Sequence, residues 1–297
     1  MSTETSDQEG EELHQCKRLK VIDIGVNLTH KAFRSNWRSV IQRAVDAGVD
    51  RVILTGLCMQ SSEECLQMAQ MWYEETHCHN LYTTVGVHPY NAMEWEGDKN
   101  SNEESLQRMI FLLQHPFALA VGECGLDYHH NACPKDIQRR AFREQFKVAI
   151  RLNKPIFLHE RHAHDDVIEI VDEELKILKE KEGENATLPP IVVHCFTGTE
   201  EEALAYIERG FYIGFSGTIC KLKRGKHLRE IIPKLPLSKI MIETDAPFMG
   251  FKKGRRDSEP ADCLDVGRKL SETMQLPFEA ICEATATNTM NFFRIPE

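Results

Sequence analysis

Six short apolar runs of the chain each end in groups that can hold a metal or move a proton. The first closes on Asp23, Gly25 and Asn27, the third on His88, and the fourth on Glu123 and Asp127. The fifth closes on His159, Glu160 and Arg161, the sixth on His194, and the eighth on Glu243 and Asp245. Imidazoles and carboxylates together suit Mg, Mn, Zn or non-haem Fe, with no sign of thiolate selection. The chemistry such a set supports is hydrolysis: a divalent ion acidifies water and stabilises charge growing on a carbonyl or phosphoryl oxygen. A spare carboxylate can take the proton from that water. A lone histidine at a strand end is more often a hydrogen-bonded structural residue, and strand-end carboxylates often cap the next helix. The coincidence of ligand-type residues at one level on several strands favours a site.

The elements that must position these groups alternate regularly. Eight candidate strands are Leu19–Val26, Arg51–Thr55, Leu81–Val87, Ala118–Gly122, Pro155–His159, Ile191–His194, Phe211–Phe215 and Ile240–Glu243. Helical spacing separates them, as in Arg139–Leu152, where Ala141, Phe142, Phe146, Ala149 and Ile150 recur on one side. Thr199 and Glu202 form a capping-box start to a helix over Glu201–Glu208, with Gly210 just past its end. Pro277–Phe293 reads as a final helix, and the charged stretch Lys176–Thr187 as a loop. Near-continuous apolar strands joined by helical crossovers imply a parallel sheet covered on both faces. Eight such units in one chain predict an α/β fold, a single TIM-type (β/α)8 barrel whose active site opens at the C-terminal strand ends. The Gly-rich dinucleotide fingerprint that would favour an open doubly wound sheet is absent after the first strand. The expected organisation is an acidic disordered tail over 1–18 and the barrel over 19–297.

Composition narrows the partners. The chain has 297 residues, 36 Lys and Arg against 46 Asp and Glu, and a formal net charge of −10. That excludes a broad basic nucleic-acid-binding surface. Ten cysteines contain no C-x-x-C pair, so they read as reduced core residues of a cytoplasmic protein, with the nucleus as the alternative. No signal peptide and no apolar run of roughly 18 residues is seen, so no membrane is expected. Two basic clusters, Lys221, Lys223, Arg224, Lys226 and Arg229, and Lys252, Lys253, Arg255 and Arg256, follow strands seven and eight. They are expected above the mouth, with Phe196, Phe248 and Phe251 as stacking faces for a nucleic-acid strand.

The chain resembles the TatD family of metal-dependent deoxyribonucleases, a branch of the amidohydrolase-like barrels. The resemblance runs from about Val21 to Phe293 through Asp23–Thr29 (DIGVNLT), Thr84–Pro89 (TVGVHP), Val121–Asp127 (VGECGLD), Phe157–His164 (FLHERHAH), Val192–Thr199 (VVHCFTGT), Tyr212–Gly217 (YIGFSG) and Ile242–Pro247 (IETDAP). It implies phosphodiester hydrolysis, as a 3′→5′ exonuclease on single-stranded DNA and RNA. It also implies a divalent metal, Mg first with Mn or Zn as alternatives. The resemblance makes Glu123, His159, His194 and Asp245 the ligands. It makes Glu123 and Asp245 catalytic, Asp245 as base. Arg161 would meet the scissile phosphate, and His88, Asn27 and His164 would be further substrate contacts. Glu243 is read as supporting these groups.

Many members carry H-x-H at the end of strand one; here Gly25 and Asn27 stand there, which leaves a tight second metal site open. The family's R-N-E-P also differs, because Arg256 and Glu259 are separated by one extra residue, so their roles stay open. The alternative activity is metal-dependent acyl or ester hydrolysis, as by a D-aminoacyl-tRNA deacylase. A monomer is the expected state.

Overall fold

The computed structural model describes residues 19–96, 99–130 and 132–296. The expected acidic tail over 1–18 lies outside the described residues. Eight strands form one sheet in chain order, all parallel: β1 (Val21–Val26), β2 (Val49–Leu54), β3 (Leu81–Val85), β4 (Ala118–Asp127), β5 (Ile156–Arg161), β6 (Ile191–Val193), β7 (Tyr212–Phe215) and β8 (Ile240–Ile242). The first strand meets the chain just past the last through a parallel bridge from Val26 to Ala246. Asp245 donates its N–H to the Gly25 carbonyl at 2.9 Å, and Asn27 donates to the Ala246 carbonyl at 2.7 Å. The sheet thus curls into a nearly closed (β/α)8 barrel, as the pattern predicts.

The crossovers are α1 (Trp37–Ala47), α2 (Met59–Thr76), α3 (Lys99–Leu113), α4 (Lys135–Leu152), α5 (His164–Glu182), α6 (Glu200–Glu208) and α7 (Lys226–Ile231), followed by α8 (Cys263–Met274) and α9 (Phe278–Phe293). Both strand and helix patterns follow from burial. Every residue of β1, β3 and β4 is buried, as a strand covered on both faces requires. The Thr199 capping box forms, with the Glu202 N–H donating to the threonine hydroxyl and the Thr199 N–H donating to the Glu202 carboxylate.

Several boundaries shift by a few residues, and two elements differ more from expectation. Lys176–Glu182 continues α5 rather than forming a loop, because Val167, Ile170, Val171, Glu174 and Leu178 keep one face buried at helical spacing. The charge run is simply the outer face of that helix. Strand β4 runs five residues past its expected end at Gly122. Its pairing with β5 shifts register between Gly122 and Cys124, so Glu123 sits in a bulge that re-aims its side chain. Gly122 and Gly125 have φ of +146° and +141°, and a Cβ on either would collide with the carbonyl of Phe157 or of His159. Those glycines let the strand pass the bulge and continue to Asp127.

Candidate metal centre

The bulge carries Glu123 into the barrel mouth, where it becomes the hub of three imidazoles. Its Oε1 lies 2.7 Å from His159 Nδ1, 2.7 Å from His194 Nε2 and 3.3 Å from His88 Nε2. All four groups descend from strand ends: β3 leads into His88, β4 holds Glu123, β5 holds His159, and β6 leads into His194. A fifth group, Asp245, follows β8 and lines the same cavity of about 420 Å³, together with Asn27 and Arg161. Asn27 donates from Nδ2 to Asp245 Oδ1 at 3.0 Å. Seven of the eight residues singled out by sequence for this site therefore line one cavity. The structure does not bring His164 into it. That ring packs edge-on against Tyr206 and lines a separate cavity with Tyr128, Asp165 and Asp166.

Behind the imidazoles stand further carboxylates. His194 Nδ1 is 3.3 Å from Glu243 Oε2, and His159 Nε2 is 3.2 Å from Asp127 Oδ2. Glu243 is fully buried and also accepts the Cys195 backbone N–H. Asp127 is anchored by the His129 and His130 N–H groups at 2.9 and 3.0 Å and by the Tyr90 hydroxyl at 2.9 Å. Such backing fixes which ring nitrogen faces a metal and raises its basicity. His88 is oriented otherwise. Its Nδ1 accepts the Tyr90 backbone N–H at 3.1 Å, so a neutral His88 carries its proton on Nε2 and points a donor, not a lone pair, into the site.

Charge follows this layout. Burial pushes Glu123 up, but the imidazoles of His194, His88 and His159 outweigh it and hold the group well below the usual carboxylate range. Burial disfavours charge on His194, yet Glu123 and Glu243 raise its pKa well above the ordinary histidine value. His159 is also raised: burial opposes, and Asp127 and Glu123 prevail. His88 is lowered, chiefly by burial, with Glu123 opposing. Asp245 is pushed up to about 7, mainly by burial, with His194 opposing and Glu123 and Glu243 adding. The chemistry of the donor set fits a divalent cation: Glu123 Oε1 lies 2.7 Å from both His159 Nδ1 and His194 Nε2, and His88 Nε2 lies within 4.8 Å of the Glu123 and His159 atoms but is turned to donate. A buried oxygen also awaits a partner, because Asn27 Oδ1 has none.

Sequence reasoning passed over Tyr90 and His130, which line the cavity. Tyr90 rides on a 3-10 turn, Pro89–Trp95, that begins directly after His88. The signal for His130 was the Asp-x-x-His spacing from Asp127, whose side chain caps the turn that carries it.

The basic clusters divide. Lys252 is held by Asp262 and Asp265 at 2.7 Å each, Arg255 by Asp262, and Arg229 by the carbonyls of Ile219, Lys221 and Leu222. These residues tie loops together instead of facing a strand. Phe196 is buried and offers no stacking face, whereas Phe248 is 46% exposed. Glu259 is engaged by Arg43 at 2.8 Å. The room for a side chain at position 25 is taken: a Cβ on Gly25 would collide with Glu243 Oε2.

The family model described as TatD-related DNase matches residues 22–294 of the chain. The curated protein named 3′-5′ ssDNA/RNA exonuclease TatD of Escherichia fergusonii is 35% identical over 280 residues, covering 93% of this chain and 99% of that protein. The protein of the same name from Escherichia coli K12 is 33% identical with the same coverage. Among solved structures, a TatD homologue from E. coli K12 superposes with a TM-score of 0.77 at 28% identity, covering 93% of this chain and 98% of that one. A TatD-family hydrolase from Entamoeba histolytica gives 0.79 at 25% identity, over 92% and 98% of the two chains.

Proposed function

The chain belongs to the family of TatD-related DNases, and from that premise we propose that it is a divalent-metal-dependent nuclease that removes nucleotides from the 3′ ends of single-stranded DNA or RNA. One observation carries the reading: His159 and His194 are each held between Glu123 and a backing carboxylate, Asp127 or Glu243. We assign Glu123, His159, His194 and Asp245 as the groups that hold the metal. Magnesium stands first for a phosphodiesterase acting on a polyanion, with manganese and zinc as the alternatives that imidazoles admit. When bound, the ion supplies Lewis-acid polarisation of the phosphoryl group and eases deprotonation of the attacking water.

The chain's own groups divide the remaining work. Asp245, which burial pushes up to about 7 before any ion is bound, stands at the mouth where it can accept a proton from water. Asn27 holds Asp245 by Nδ2 and leaves Oδ1 free to accept from that water. Arg161 lines the cavity with no carboxylate partner among the described residues, and its planar fork suits two oxygens of the scissile phosphate. His88, neutral and donating from Nε2, suits a third phosphoryl oxygen. His164 lies outside this set.

No helix among the described residues is long and apolar enough to cross a membrane. Nine free cysteines among those residues support a reducing compartment, the cytoplasm or nucleus.

The test strips the protein of metal, restores Mg, Mn or Zn separately, and supplies 5′-labelled single-stranded DNA, RNA and a D-aminoacyl-tRNA. Metal-dependent loss of 3′ nucleotides, abolished in Asp245→Asn, is expected. Removal of the aminoacyl group alone would replace this reading with acyl hydrolysis.

A further inference from the structure

A second cavity of about 700 Å³ adjoins the metal centre and shares two of its walls, Phe248 and Met249. Its lining is basic: Lys31, Lys221, Arg224 and Arg256, with His30 beside Phe248 and Asp257 as the carboxylate. None of these four cations has a carboxylate within ion-pair distance among the described residues, although their loop neighbours Lys252 and Arg255 are neutralised. Lys31, Arg224 and Arg256 are exposed, and Lys221 stands closer in, near enough to feel the charge of Asp245. Phe248 is fixed by its backbone. Its N–H donates to the Asp245 carbonyl at 2.8 Å, and its carbonyl accepts the Ser258 hydroxyl. The Phe248 ring packs edge-to-face with His30, with centroids 5.3 Å apart and planes at 69°, while one side stays open to solvent.

We propose that this groove is the track for the strand upstream of the scissile bond: Phe248 stacks the base next to the metal centre, and Lys31, Lys221, Arg224 and Arg256 take the phosphates 5′ of it. The proposal rests on the 3′-exonuclease reading and gives the strand a direction. The 3′-terminal nucleotide enters the cavity at Glu123, and the body of the strand leaves over Phe248 into the groove. Backbone cations and an aromatic face hold single strands without reading sequence. Such a groove distinguishes a polymer from a dinucleotide, which ends before reaching Lys31, Arg224 and Arg256. It also explains how a chain of net charge −10 holds a polyanion: four cations without carboxylate partners among the described residues gather beside the mouth.

The test compares kcat/KM for a hexanucleotide and a dinucleotide, each cut by the parent and by the triple variant Lys31→Gln, Arg224→Gln, Arg256→Gln. In the triple variant the hexanucleotide-to-dinucleotide ratio should fall at least tenfold. The slope of log kcat/KM against log salt for the hexanucleotide should become shallower by about 2, at roughly 0.7 for each phosphate left without its cation. Phe248→Ala should raise the hexanucleotide KM about tenfold and Phe248→Trp should restore it. An unchanged ratio and slope, including the case of equal loss on both substrates, overturns the groove. A parent protein that releases no 3′ nucleotide from either substrate instead overturns the nuclease reading beneath it.

Discussion

The Nε2 of His194 lies 2.7 Å from Oε1 of Glu123, within the low-dielectric floor of the barrel mouth. That short approach needs a proton between the two groups, while His194 Nδ1 is already committed to Glu243. His159 is in the same position between Glu123 and Asp127. Both imidazoles are raised above their ordinary pKa, His194 well above it, so in the metal-free protein both hold a proton to higher pH than a free imidazole does. A metal would replace the inner proton of each ring and leave the outer carboxylate bond in place.

Metal binding should therefore release protons. Titration calorimetry at pH 7 in buffers of differing ionisation enthalpy should give at least one proton released per ion. Affinity should weaken as pH falls from 8 to 6, because protons then compete for His159, His194 and Asp245. A pH-independent affinity would contradict the assignment of these rings as ligands.

The outer carboxylates should matter almost as much as the ligands. Glu243→Gln keeps the shape of a fully buried side chain and removes the charge behind His194. Metal affinity should fall about 10- to 100-fold, with Asp127→Asn behaving alike through His159. Equilibrium dialysis measures this; parental affinity in both variants would show that the backing is incidental.

His88 should separate from the ligands. Its Nδ1 accepts the Tyr90 N–H, so Nε2 is a donor in the neutral ring. His88→Gln should retain bound metal, measured by elemental analysis, while kcat/KM falls about 100- to 1,000-fold, the loss expected for one donor to developing charge. Loss of metal equal to that in His159→Gln would make His88 a ligand.

Gly25 should tolerate no side chain. A Cβ there would strike Glu243 Oε2, and Glu243 cannot retreat without giving up Cys195 N–H or His194. Gly25→Ala should cost about 1–3 kcal/mol by overpacking. That corresponds to a Tm lower by about 2–12 °C for a chain of this size, read by calorimetry on metal-free protein. The same crowding explains why a histidine ligand has no place at this position. An unchanged Tm would show that the mouth is looser than these neighbours imply.

The barrel and most of the mouth were legible in the sequence because strands covered on both faces read as apolar runs, and the barrel brings their polar ends to one level. Glu123, His159, His194 and Asp245 stood among those polar ends, and the family resemblance singled them out. What stayed hidden depended on three-dimensional partners. The run over Lys176–Glu182 looked like a loop because its charges conceal a single buried stripe. Lys252 and Arg255 looked available to substrate because their partners, Asp262 and Asp265, lie on the next turns of chain. The donor character of His88 rests on one backbone N–H that no residue type announces.

The most direct test of a metal-dependent 3′ exonuclease centred on Glu123 is the ladder of products from a 5′-labelled single-stranded oligonucleotide. It is followed over time with metal-stripped protein, with metal restored, and with Glu123→Gln. Stepwise shortening by single nucleotides from the 3′ end is expected, seen only with restored metal and lost in Glu123→Gln. Internal cuts, release of the 5′ label first, or parental rates in either the stripped protein or Glu123→Gln would contradict it.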